Sequence, residues 1–196
     1  MRSSTHLPRG NLPLGVSRSV ADWAQAVNRL VGKAARDESG VGRRHRVAGL
    51  RGRAVLITVG DPSASDDALG YRMSGDVAER LVADGIDPDY LSGLAQESGI
   101  DPKDMLEFVG IDRTTVSRRK ASGAALPQDA AVKALQATDL ITQATEVFGS
   151  LRAAGEWLTK PHPSLGDERP LQRARTPWGL SKVQSMLVAL RYGGAA

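Results

Sequence analysis

The chain has 196 residues and a mass of 20.8 kDa, room for one or two domains. Aromatic residues make up only 4% of it against 41% hydrophobic residues overall, so its core must be built from Leu, Val and Ala, which suits packed helices better than a β-sandwich. The absence of cysteine excludes a disulfide framework, thiol catalysis and thiolate-bound zinc. No apolar run approaches the ~18 residues of a membrane-spanning helix. No apolar signal core follows the basic N-terminus. A soluble cytoplasmic protein with no membrane contact is therefore expected.

The net charge of +4 is unevenly spread. Residues 1–60 carry 11 basic and 3 acidic groups, and residues 61–110 carry 3 basic and 12 acidic. Residues 111–125 carry 4 basic and 1 acidic, and residues 126–196 carry 8 and 6. A basic arm, an acidic segment and a short basic island point to separate tasks along the chain.

Residues 1–18 mix Pro8, Gly10, Pro13 and Gly15 with Ser and Arg and are expected to be disordered. Ser19 is placed to cap a helix over residues 19–36, in which Val20, Trp23, Ala24, Val27, Leu30, Val31 and Ala34 recur at helical spacing. That apolar face needs a surface, either in its own domain or on a partner. Residues 40–53 are Gly- and Arg-rich and read as loop. Ala54-Val55-Leu56-Ile57-Thr58-Val59 is the one clear strand candidate. Alone it would have to pair with another chain or fold differently. Residues 60–75 read as a linker.

From Asp76 onward helix follows helix. Residues 76–84 carry Val77, Leu81 and Val82, and Gly85 breaks them. Residues 88–98 carry Leu91, Leu94 and Ala95 and stop at Gly99. Residues 102–109 carry Met105, Leu106 and Val109. Gly110-Ile111 turns, and Asp112 caps a helix over residues 113–120. Pro127 reads as the first residue of a long helix ending at Phe148, with Val132, Leu135, Ile141, Ala144, Val147 and Phe148 facing inward. Ser150 caps the next helix, which holds Trp157 and Leu158. Residues 170–175 form a short helix. Thr176 then caps a last one, with Pro177 at its first position and a stripe of Leu180, Val183, Leu187 and Leu190.

The sharpest local signal is residues 102–120. Two short helices, a Gly at the turn and apolar Met105, Val109, Ile111 and Val116 fit a helix-turn-helix. Its second helix carries Arg113, Thr114, Thr115, Ser117, Arg118, Arg119 and Lys120, residue types that bond phosphates and base edges. These seven are the candidate DNA-binding residues. The competing reading is an ordinary helical hairpin with a solvated basic face. Leu106 stands where many such units have Ala or Gly, which predicts looser packing between the two helices. The basic arm could track DNA phosphates or serve as a solubilising tail.

Catalytic readings find no support. His6, His45 and His162 are far apart, and no nucleophile elbow or H-x-x-x-H metal spacing occurs. Gly60-Asp61-Pro62 lacks the lysine of a phosphate loop. No catalytic residue, metal, cofactor or small-molecule substrate is expected, and the chain is not expected to be an enzyme.

An ordered series of motifs over residues 74–196 resembles the Xre-type antitoxins of the Xre/MbcA/ParS family. It comprises the helix from Gly110-Ile111 to Arg118-Arg119-Lys120, Leu126-Pro127, Ala144-Thr145-Glu146-Val147-Phe148-Gly149, and Trp157-Leu158 followed by Pro161-His162-Pro163-Ser164-Leu165-Gly166. Pro170-Leu171, Thr176 with Gly179, and Val183, Leu187, Leu190 and Tyr192-Gly193 complete it. His162 replaces the usual Asn, Arg173-Ala174 the usual Leu-Leu, and Pro177-Trp178 is unusual before Gly179.

The resemblance implies a mainly all-α protein in three parts: a basic N-terminal extension (residues 1–73), a helix-turn-helix domain (residues 74–125) and a C-terminal helical toxin-binding domain (residues 126–196). It implies repression of the protein's own operon through operator DNA. It also implies homodimerisation, and neutralisation of a RES-type toxin, similar to ADP-ribosyl transferases, by blocking NAD+ access with the C-terminal end. The implied toxin-binding residues are Trp157, Pro161, Leu165, Gly166, Pro170, Leu171, Val183, Leu187, Leu190, Tyr192 and Gly193. Trp157, Leu165 and Leu187 would serve equally well as core. A stand-alone helix-turn-helix regulator with a C-terminal dimerisation domain is the alternative function.

Overall fold

A computed structural model describes residues 22, 23, 25–27, 56–59, 70–73 and 75–193. Its described elements begin with α1 (helical at residues 22, 23 and 25–27), β1 (Leu56–Val59), β2 (Gly70–Met73), α2 (Gly75–Asp84), α3 (Asp89–Ser98) and α4 (Pro102–Val109). They continue with α5 (Arg113–Ser122), α6 (Gln128–Phe148), α7 (Leu151–Thr159), α8 (Pro170–Arg173) and α9 (Pro177–Arg191). A 3-10 turn at Pro163–Leu165 lies between α7 and α8. The protein is mainly helical.

Local chemistry sets the helix ends. The Asp112 carboxylate accepts the Thr115 backbone N–H at 2.7 Å, Ser150 Oγ accepts that of Ala153 at 3.2 Å, and Thr176 Oγ1 accepts that of Gly179 at 3.1 Å. These are the caps the sequence predicts. Asp101, which the sequence reading did not single out, caps α4 through the Lys103 N–H at 2.7 Å. Each bond satisfies one of the donors that a helix start leaves without an intrahelical partner.

α6 is the centre of the molecule. α2, α3, α4, α7, α9 and β2 all pack on it. Its small residues Ala131, Ala134, Ala137 and Ala144 are buried and let these neighbours approach closely. Thr138, Thr142 and Thr145 are buried as well. Their hydroxyls donate to the carbonyls one turn back, those of Ala134 at 3.0 Å, Thr138 at 2.7 Å and Ile141 at 2.7 Å. Each hydroxyl has a single proton, so these oxygens can only accept from elsewhere. Trp23 Nε1 donates to Thr142 Oγ1 at 2.8 Å, and the Tyr90 hydroxyl, at 2.8 Å from Thr138 Oγ1, is thereby fixed as the donor. Burial pushes the Tyr90 hydroxyl pKa far up, so the phenol keeps the proton it donates. Gly155 lets α7 lie on α3, because a Cβ there would run into the Ser98 carbonyl oxygen.

Several expectations are corrected. β1 has a partner within the chain: it pairs antiparallel with β2, Leu56 opposite Met73 and Val59 opposite Gly70. β2 lies in the stretch that reads as linker, where Ser, Asp and Gly conceal a four-residue strand. Pro127 is the residue before α6 rather than its first: its ψ of 147° is extended, while its carbonyl accepts the Ala131 N–H at 2.9 Å. Val132 does not face inward but is 40% exposed. It borders an open groove shared with Ala78, Val82 and Leu180. α8 ends at Arg173 rather than 175, since Thr176 already caps α9. Of the residues in the predicted first helix, Trp23, Ala26 and Val27 are buried in the chain's own core. Disorder over residues 1–18, the loop over 40–53 and the Ser19 cap lie outside the described residues.

Thr142→Val should orphan the buried Trp23 N–H and cost about 1–3 kcal/mol. Tyr90→Phe removes a donor and orphans no proton, so it should cost less, about 1 kcal/mol. Urea unfolding of both variants checks the order, and a costlier Tyr90→Phe would contradict this account of the proton directions.

Candidate functional site

The first candidate surface is α5. α4 ends at Gly110, whose φ of 77° lies in the left-handed region that favours glycine. The backbone N–H groups of Gly110 and Ile111 both donate to the Leu106 carbonyl, at 2.9 and 3.1 Å. Met105 and Val109 are buried, and Leu106, Ile111 and Val116 are half-buried against the same core. α5 therefore leaves a three-residue turn at a set angle, as a helix-turn-helix requires. No residue of α5 is fully buried.

The seven predicted DNA-binding residues divide in two. Thr115 donates its hydroxyl to Asp112 at 2.7 Å. Arg119 donates to the Ala125 carbonyl at 2.8 Å, and Lys120 pairs with Asp89 at 2.7 Å. These three fix α5 to its surroundings. Arg113, Thr114, Ser117 and Arg118 are exposed and make no hydrogen bond or ion pair among the described residues. At 3.6 residues per turn they share an arc of ~140°. The result is a polar, cationic strip pointing to solvent.

Electrostatics at both ends of α5 favour its position. The Thr115 hydroxyl and backbone N–H hold the Asp112 carboxyl below its ordinary pKa of 3.8. The cap is therefore fully formed above that value and weakens only as the pH falls through the lowered one. The bond to Asp89 raises the Lys120 pKa, so Lys120 stays charged at neutral pH. Both sites are exposed, and the Lys120 pair can exchange with another anion at little cost.

The second candidate surface lies beyond α6. Its predicted residues also divide. Leu165, Pro170, Leu171, Val183 and Leu187 are buried in the chain's own core, so their side chains present no surface. Trp157 is half-buried, its ring 5.3 Å from Phe148 and 6.0 Å from His162. Pro161 is exposed just before, and Gly166 within, a loop closed by the His162 N–H donating to the Glu168 carbonyl at 3.1 Å. Leu190 is half-buried, and Tyr192 and Gly193 are exposed. Arg191 donates to Glu146 at 3.1 Å and clamps the last turn of α9 onto α6.

Two features escaped the sequence reading. Arg169 makes a double bond-pair to Asp104, at 2.8 and 3.1 Å, and Arg175 reaches Glu107 at 2.7 Å. Both join the α8 region to α4 across more than sixty residues, and no local pattern announces such pairs. Trp178 is 83% exposed. It had a signal: it is a large apolar residue off the stripe of Leu180, Val183 and Leu187.

No helix among the described residues is long and apolar enough to cross a membrane. Residues 77–136 match the family model of the antitoxin Xre-like helix-turn-helix domain. Residues 143–193 match that of the antitoxin Xre/MbcA/ParS C-terminal toxin-binding domain. The two matches together span more than half of the chain. Among curated proteins none matches.

The division of the α5 residues is testable by stability. Arg119→Ala, which frees the Ala125 carbonyl, should cost about 1 kcal/mol. Arg118→Ala should change stability by less than about 0.5 kcal/mol. Thermal unfolding of the two variants measures the contrast, and equal losses would contradict the assignment.

Proposed function

The chain belongs to the Xre/MbcA/ParS family of antitoxins, and we propose that it is the antitoxin of a type II toxin–antitoxin pair whose toxin is an NAD+-degrading RES-domain protein. In this reading residues 74–125 bind the operator of the protein's own operon and repress it. Residues 126–196 bind the toxin. The end of the chain from Tyr192 onward sits at the toxin's active-site entrance and keeps NAD+ out. The chain acts as a homodimer, which places two α5 helices on two operator half-sites.

The observation that carries the reading is the end of α9. The Arg191–Glu146 pair, with side chains 26% and 8% exposed, fixes the last helical turn. Tyr192 and Gly193 project beyond it, exposed. An anchored helix with a small protruding end suits insertion into a cleft, because little conformational freedom is left to lose on binding. Trp157, Pro161, Gly166 and Leu190 form the surrounding contact surface. Leu165, Pro170, Leu171, Val183 and Leu187 act from beneath by holding that surface in shape. On the DNA side Arg113, Thr114, Ser117 and Arg118 meet base edges and phosphates. Thr115 and Arg119 position the helix, and Lys120 exchanges Asp89 for a phosphate.

The test is co-expression with the product of the adjacent gene, followed by cellular NAD+ measurement. Expression of the neighbour alone should deplete NAD+, and the full chain should prevent this and co-purify with it. Deletion of residues 192–196 should abolish protection and leave operator binding intact; protection by the truncated chain would sink the occlusion mechanism. Arg118→Ala should weaken operator binding by about 1–3 kcal/mol, roughly fivefold to 150-fold. No complex and no NAD+ effect would leave the stand-alone regulator as the better account.

A further inference from the structure

α9 has two faces of opposite use. Val183 and Leu187 are buried against the core, with Leu180 packed beside them. On the other side Trp178, Ser181, Ser185, Val188 and Tyr192 follow at spacings of three and four, and all five are exposed. This is the heptad spacing by which one helix seats along another surface. Trp178 is 83% exposed, Val188 50% and Tyr192 66%, and apart from Val132 they are the exposed large hydrophobics among the described residues. The middle of the face is low: Ser185 turns its hydroxyl back onto the Ser181 carbonyl at 2.9 Å. The face thus carries a bulky apolar group at each end, ~21 Å apart at 1.5 Å per residue, with a shallow centre. Lys182 lies at its edge, exposed and without an ion pair among the described residues.

We infer that this outward face of α9 is the surface that seats in the toxin, with Trp178 as the anchor farthest from the chain end. The inference rests on the antitoxin reading given above and names the contact residues within it. Three observations select the toxin as occupant. The face lies within residues 143–193, which match a toxin-binding domain. It is continuous with Tyr192, the start of the occluding end. It also presents a cation, Lys182, with no ion pair among the described residues, on a helix that has no carboxylate. The partner groove should therefore offer two apolar pockets about 21 Å apart and an acidic side chain near the Trp178 pocket, a helix-in-groove arrangement. A second copy of the chain fits less well. A two-fold axis at Ser185 would bring Lys182 against Val188 of the copy and bury its charge with no carboxylate to meet it.

The experiment uses the purified full chain and the purified product of the adjacent gene, with affinity measured by calorimetry and the mass of the isolated chain by light scattering. Trp178→Ala and Lys182→Glu alter exposed side chains, so unfolding temperature and operator binding should stay as in the wild type. Each should weaken toxin binding at least tenfold. Wild-type affinity in both variants would overturn the inference and leave the antitoxin reading standing. Failure of the wild-type chain itself to bind would overturn that reading and this inference with it. Unchanged toxin affinity with loss of a dimer in Trp178→Ala would assign the face to a second copy instead.

Discussion

The structure depends on burying α6 on several sides at once. A helix with one apolar stripe satisfies one neighbour, whereas α6 meets α2, α3, α4, α7, α9 and β2 and also takes the Trp23 side chain of α1. It does so with small side chains and with three threonines whose protons go to their own helix. That leaves Thr138 and Thr142 as acceptors aimed sideways at Tyr90 and Trp23. An aromatic side chain of α1 and one of α3 are thereby keyed to fixed heights along one helix. Apolar contacts alone would tolerate sliding, because hydrophobic burial has no direction. The hydrogen bonds set the register, since a buried donor that misses its acceptor costs free energy.

Because both family domains are built on α6, they share one core. The helix-turn-helix match ends at residue 136 and the toxin-binding match begins at residue 143, both inside α6. The Arg169–Asp104 and Arg175–Glu107 pairs add a second join, between the α8 region and the first helix of the helix-turn-helix. The first is bidentate and partly buried, with side chains 28% and 19% exposed, and is the stronger of the two. The second, at 45% and 40%, contributes little in water. A displacement of α8 would therefore reach α4 through a charged contact as well as through packing.

Most of the helical architecture was legible because helix ends are local. Asp112, Ser150 and Thr176 cap as read, and Gly99, Gly110 and Gly149 terminate helices in left-handed conformations. What was hidden is non-local. β2 has no hydrophobic run of its own and exists through pairing with β1. Val132 carries the periodicity of α6, but periodicity does not say which side of a many-sided helix meets an open groove. The site was legible in kind and less so in detail. The basic character of α5 was plain from its composition, but which of its cations are tied down depends on Asp89 and Ala125, which come from other segments.

The α9 stripe shows why reading apolar residues as a binding surface misleads in a chain that folds around its own core. Val183 and Leu187 repeat at the spacing a partner helix would use, and the same spacing serves packing on α6. A stripe completed internally cannot also be offered outward. What remains for a partner is whatever apolar area the fold leaves uncovered, and on α9 that is Trp178, Val188 and Tyr192, with the open part of half-buried Leu190. Leaving a tryptophan in water forgoes the roughly 25 cal/mol per Å² that its burial would return. The free chain does not collect this stabilisation, whereas a complex that covers Trp178 can, and that difference gives α9 a thermodynamic reason to be occupied on its outer side.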